Sequence, residues 1–71
     1  SGHDAGKVYV ITKVEEAYVY LVDGKVRTLD KPKKKKKKHV QLIKESFDIQ
    51  GATDVDIKRW IKIWNKEDNQ N

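Results

Sequence analysis

Two dense apolar runs open the chain and a helical stripe closes it. Val8-Tyr9-Val10-Ile11-Thr12 is almost continuous in strand-favouring residues, which predicts a strand partly covered on both faces. Glu15-Glu16 interrupts the run. Adjacent carboxylates at a strand end point to opposite sides, so they read as a solvated turn rather than a catalytic acid pair. From Ala17 to Val22 the pattern alternates, with Tyr18 and Tyr20 on one face and Ala17, Val19 and Leu21 on the other. The aliphatic face is the expected core. The tyrosines either stack on bases or cover a half-buried sheet surface, the reading that their strand propensity favours. Asp23-Gly24 predicts a tight hairpin turn needing positive φ, and Lys25-Val26-Arg27-Thr28-Leu29 then returns as a third strand. Pro32 cannot donate to a ladder, so Asp30-Lys31-Pro32 ends that pairing. His39-Val40-Gln41-Leu42-Ile43 predicts a fourth strand, with Val40 and Leu42 inward. The lysines before it occupy a loop or the leading half of that strand. In a strand they point to both faces, which suits a sheet edge.

From Lys44 to Gly51 the pattern is that of a linker, with Phe47 and Ile49 as anchors to the sheet. The period then changes to helical. Thr53 is the expected N-cap, with Asp56 three residues on and Asp54 in the first turn. Ile57, Trp60, Ile61 and Trp64 form one apolar stripe, with Lys58, Arg59 and Lys62 off it. A terminal amphipathic helix of so short a chain is expected to pack on its own domain. The organisation is therefore residues 1–50 as a β unit with a basic loop, and 51–71 as the helix and a polar tail.

Charge changes this picture at one place. The chain has 71 residues, 16 basic and 11 acidic, for a net charge of +5. Lys31 and Lys33 to Lys38 supply seven of those basic residues; without them 9 would face 11 acidic ones. The whole positive excess lies in one segment. A run of like charges repels itself and does not drive folding. It suits solvent, or a polyanion that neutralises it, with nucleic acid favoured over an anionic membrane.

Other chemistry is sparse. With no cysteine, disulfides and thiolate metal sites are excluded, which suits a reducing compartment. His3 and His39 lack metal-ligand spacing. No nucleophile–base pair or phosphate-binding loop is visible, and so small a domain leaves little room for a deep pocket, so no enzyme and no cofactor are expected. No apolar run is long enough to span a membrane, and the polar opening does not read as a signal peptide. The expected setting is cytoplasmic and the expected state a monomer.

Gly2-His3-Asp4-Ala5-Gly6-Lys7-Val8 resembles the second part of a KOW motif, the loop and strand that carry its glycine. Asp23-Gly24-Lys25-Val26-Arg27, followed by Lys31-Pro32-Lys33-Lys34-Lys35, resembles bacterial KOW domain-containing RNA-binding proteins. Those are similar to certain archaeal and eukaryotic large-subunit ribosomal proteins. The resemblance covers about Gly2 to Ile43. It implies a mainly β fold: a small SH3-like barrel of four to five strands with a C-terminal helix. It also implies RNA as partner, ribosomal RNA above all, with ribosomal proteins nearby. Carried to matching positions, the RNA-contacting residues are Gly6 and Lys7 in the loop, Arg27 in the third strand, and Lys31, Lys33, Lys34, Lys35, Lys36, Lys37 and Lys38; His39 joins them apart from the resemblance, as a ring that an unstacked base can meet together with Tyr18 or Tyr20. The family pattern begins with a strand ahead of the glycine loop, whereas this sequence opens at the loop, so barrel closure is expected to suffer.

The leading expectation is an RNA-binding module in which lysines neutralise phosphates. A second is an SH3-like protein-interaction module with Trp60 and Trp64 as the docking face; tryptophan exposure discriminates the two. Pro32 and the lysines also fit a nuclear localisation signal, a weaker reading because flanking strands give them another role.

Overall fold

The structure is a computed structural model that describes residues 7–43, 46 and 48–69. Strand β1 (Val10–Val14) pairs antiparallel with β2 (Tyr18–Val22), and β2 pairs antiparallel with β3 (Lys33–Lys36). The sheet is open, in the order β1-β2-β3. A 3-10 turn, Lys37–His39, follows β3, and the chain ends in helix α1 (Asp54–Asn69). Among the described residues there are thus three strands, not four or five, and the sheet does not close into a barrel.

Strand β2 lies where the alternation places it, one residue shorter at its start, whereas β1 begins two residues later than the apolar run and extends through Lys13 and Val14. Their hairpin closes through the Glu15 amide, which donates to the Tyr18 carbonyl at 2.8 Å. The register shifts between Ile11 and Lys13, so Thr12 is the extra residue of a β-bulge. The bulge sets Lys13, not Thr12, opposite Tyr20. That one-residue shift decides which side chain joins the tyrosine face.

The expected third strand is corrected. Lys25 to Leu29 is a loop, because the amides of Lys25, Arg27 and Leu29 are held by carboxylates rather than by a ladder. The Asp23 carboxylate accepts the amides of Lys25 (2.8 Å) and Arg27 (2.9 Å). The amides of Asp23 and Gly24 both donate to the Arg27 carbonyl, at 2.8 and 3.0 Å. The Leu29 amide donates to Asp54 Oδ1 at 2.8 Å. An Asp side chain that captures nearby amides competes directly with a ladder. Gly24 does have positive φ, +83°, but Asp23 does not, so the turn is not the two-residue hairpin type. Val26, expected on a strand face, is 78% exposed.

The edge of β2 left open is taken by Lys33–Lys36. Lysine is a poor strand former, so pairing with β2 supplies what intrinsic preference does not. Beyond the strand, the Lys37 amide donates to the Ala17 carbonyl at 3.0 Å. The expected fourth strand, 39–43, is corrected too. His39 ends the 3-10 turn, closed by the Val40 amide on the Lys37 carbonyl at 3.0 Å. Both edges of β2 are filled by then, and the turn sends Val40 to Ile43 away from the ladder.

Val10 and Val22, cross-strand partners, form the core with Ile57 of α1; Val22 and Ile57 are completely buried. Leu29, Ile49, Trp60 and Ile61 pack around them. Ile49 is thus an anchor as expected; Phe47, the other expected anchor, lies outside the described residues. Helix α1 starts with the expected capping box. The Asp56 amide donates to Thr53 Oγ1 at 3.3 Å, and the Thr53 amide donates to Asp56 Oδ2 at 3.0 Å. These bonds from Thr53, amide first and hydroxyl second, hold the Asp56 carboxyl below its ordinary value. At Asp23 partial desolvation pushes upward, but the amides of Lys25, Arg27 and Val26 outweigh it and the carboxyl also lies low.

Gly24 sits against the first turn of α1. A Cβ there would collide with the Asp54 carbonyl and come within 3.0 Å of the Lys58 amide nitrogen. Helix and loop therefore meet through glycine on one side and the Asp54–Leu29 bond on the other. No helix among the described residues is long and apolar enough to cross a membrane.

Candidate nucleic-acid interface

Strand alternation divides the lysine run between two faces of the sheet. Lys36 pairs with Tyr18 and Lys34 with Tyr20; Lys35 pairs with Val19 and Lys33 with Leu21. Directly opposed residues share a face. Lys34 and Lys36 therefore stand exposed on the tyrosine side, whereas Lys33 and Lys35 are half-buried on the aliphatic side. The pairing sets them opposite Leu21 and Val19, where a lysine stem can cover apolar surface.

The tyrosine side is a basic, aromatic surface. The Lys34 ammonium lies 4.5 Å from the centre of the Tyr18 ring and 6.0 Å from that of Tyr20. Lys13, brought there by the bulge, lies 5.4 Å from the Tyr20 ring centre. Each such contact contributes about 0.5–1 kcal/mol at an exposed site. Glu15 is tied into this face: its carboxylate accepts the Tyr20 hydroxyl at 3.3 Å and stands 3.7 Å from the Lys13 ammonium. The exposed Lys13–Glu15 pair adds little stability, and the carboxylate fixes Tyr20 more than it neutralises the surface.

The aliphatic side opens into a cleft of about 950 Å³ between sheet and helix. Tyr9, Leu21, Trp60 and Trp64 line it together with Lys33 and Lys35. Tyr9, Trp60 and Trp64 are all half-buried. Lys7 and His39 also reach this cleft, and so do Val40 to Ile43. A second groove of about 880 Å³ adjoins it across Lys7, Val8 and Tyr9, and is lined by Lys25, Lys58, Arg59 and Lys62 with Asp23.

Of the residues expected to contact RNA, Lys7 lies exposed beside both grooves. The 3-10 turn exposes Lys37, Lys38 and His39 at the end of β3. Arg27 and Lys31 are exposed in the 23–31 loop, which is not a strand, and neither lines the cleft. Gly6 lies outside the described residues, as does the glycine loop of the expected KOW motif. Of the two placements left open for the lysine run, loop or sheet edge, Lys33–Lys36 takes the edge, and Lys37 and Lys38 lie in the turn that follows. Lys13, Lys25, Lys58, Arg59 and Lys62 were not picked from the sequence. Lys58 and Lys62 carried a signal, one helical turn apart and off the apolar stripe; Lys13 carried none, because the bulge is invisible in the pattern.

Among the described residues no group of three His, Cys, Asp or Glu stands close enough to hold a metal ion. Comparison with protein-family models, curated proteins and solved structures finds no match.

Proposed function

We propose that the protein is an RNA-binding module without catalysis, and that β3 is its centre. One observation carries the reading: the lysine run is an ordered edge strand that places Lys34 and Lys36 beside Tyr18 and Tyr20. Ordered ammonium groups two residues apart stand about 6–7 Å apart, close to the spacing of successive phosphates along a strand. Lysine is suited to phosphate as a point charge and poorly suited to bidentate base reading. Affinity then comes from counterion release, and sequence choice is weak. The tyrosine rings add stacking surface. A base stacked on tyrosine gains about 1–3 kcal/mol, more than the cation–π contact it displaces, and the displaced ammonium stays near the phosphate.

The finer assignment belongs to the same proposal. It comprises a KOW-type barrel relationship, a ribosomal RNA partner with ribosomal proteins nearby, a monomeric state and a cytoplasmic location, and its support is the sequence resemblance. A docking role for the tryptophan helix is disfavoured by the lysines that line the same cleft as Trp60 and Trp64, because an apolar partner would leave their ammonium groups without a counter-charge.

The test is the salt dependence of binding to a labelled RNA fragment, read by fluorescence anisotropy. Four to six phosphate contacts on single-stranded RNA give a slope of log affinity against log salt of about −3 to −4. Lys34→Gln with Lys36→Gln should reduce that slope by about 1.4. A slope near zero, or an unchanged slope in the double variant, refutes the mechanism.

A further inference from the structure

We propose that the cleft between sheet and helix is a second RNA subsite that receives one unpaired nucleotide. Its base lies against the tryptophan–tyrosine lining and its phosphate meets Lys33 and Lys35. The inference rests on the RNA-binding reading and adds to it a preference for single strands.

Three observations converge. The lining combines aromatic and cationic side chains: Tyr9, Trp60 and Trp64 with Lys7, Lys33 and Lys35. Among the described residues that line it there is no Asp or Glu, although the chain holds 11 of them. A purely apolar peptide would leave these ammonium groups without a counter-charge, whereas a nucleotide brings a flat ring and an anion together. The volume, about 950 Å³, lies in the range of small-ligand sites and has room for a nucleotide.

The alternation of β3 adds the geometry. Lys34 and Lys36 take phosphates on the tyrosine side, and Lys33 and Lys35 face the cleft one residue away on the same strand. A single strand following this edge can keep its backbone on the lysines and turn one base under them. A-form duplex RNA cannot: its bases are stacked and paired inside the helix. Base stacking on an aromatic side chain tolerates any base, so the subsite selects for an unpaired nucleotide rather than for sequence.

The chain's own tryptophans report on the subsite, since both of them line the cleft. The full chain is titrated with an unlabelled single strand of about 12 nucleotides, within the site sizes known for single-strand binders. The same strand in a duplex and a nucleoside monophosphate are titrated in parallel. Tryptophan emission reads the cleft, and anisotropy of a labelled copy reads total binding. The expected result is saturable quenching by the single strand that follows the anisotropy curve, with little quenching by the duplex. Trp64→Leu should weaken single-strand binding about tenfold, and Trp64→Phe should restore most of it. Lys33→Gln with Lys35→Gln, which leaves the aromatic lining intact, should weaken single-strand binding more than duplex binding. Anisotropy without quenching overturns the subsite, whether the cleft is filled by this chain's own residues or merely unused, and leaves RNA binding standing. Quenching by the monophosphate at concentrations as low as for the strand also overturns it, making the cleft a small-molecule site. Absence of any anisotropy change refutes the RNA reading itself, and the subsite with it.

Discussion

Replacing Gly24 and Gly51 separately by alanine isolates the contact that seats α1 against the loop after β2. Both glycines have positive φ, +83° and +80°, so the backbone cost is nearly the same. That cost is about 1–2 kcal/mol for an L-residue. Reduced freedom of the unfolded chain returns about 0.4–1 kcal/mol of it. Gly51→Ala should therefore destabilise by about 1 kcal/mol or less, because nothing lies within 4 Å of the added methyl. At Gly24 the same methyl meets the Asp54 carbonyl and the Lys58 backbone. The first turn of the helix must move, and the Leu29 amide then loses the Asp54 carboxylate. A hydrogen bond to a charged acceptor contributes about 1.5–3 kcal/mol, taken here at the low end because the site is partly solvated. Displacing Ile57 from Val10 and Val22 adds to this. The expected cost of Gly24→Ala is about 3 kcal/mol, against a total stability of about 3–5 kcal/mol for a domain of this size. Urea unfolding followed by tryptophan emission and far-ultraviolet circular dichroism measures both variants. Two variants equal within about 0.5 kcal/mol would refute the claim that this close approach holds helix and loop together.

Ile57→Val, a single methylene removed from a fully buried side chain, should cost about 0.5–1.5 kcal/mol in the same urea assay. A cost near zero would mean that the core is not packed at Ile57. The carboxyls of Asp23 and Asp56 both lie below their ordinary value of 3.8 when folded. Their contribution is therefore complete above that value and lost as pH falls through the lower folded one. Stability should decline on acidification below about pH 4, and Asp56→Asn should flatten that decline in melts at successive pH values. If the adjoining basic groove extends the RNA path, Lys58→Gln with Lys62→Gln should lower the salt slope by up to about 1.4. An unchanged slope would confine the path to β3. Lys13→Gln, at a residue that only the bulge brings to the tyrosine face, should lower affinity modestly; an effect equal to that of Thr12→Ala would show that the bulge does not govern this face.

The elements that sequence alone determined are those whose signal is local. The alternation in Ala17 to Val22 specifies a strand because side-chain period and burial agree there, and the β-branched run before it specifies another by composition alone. The Thr53–Asp56 box and the stripe Ile57, Trp60, Ile61 and Trp64 specify a helix and its start, since a cap and its periodicity need no partner. The charge excess at Lys31 to Lys38 was equally legible, and so was its suitability for an edge.

What only the tertiary structure decided is which segment pairs with β2. Lys25 to Leu29 is the better strand by composition, and the lysines are the worse one. The outcome is reversed because Asp23 and Asp54 capture the amides of Lys25, Arg27 and Leu29, and Gly24 ties that loop to the helix, leaving the edge of β2 to the lysines. Asp54 lies 25 residues from Leu29, a distance over which no local pattern can report a bond. The same choice fixed the site. As a loop the lysines would form one undirected cloud of charge; as a strand they are dealt alternately to a tyrosine face and a tryptophan cleft, because a strand turns successive side chains to opposite sides.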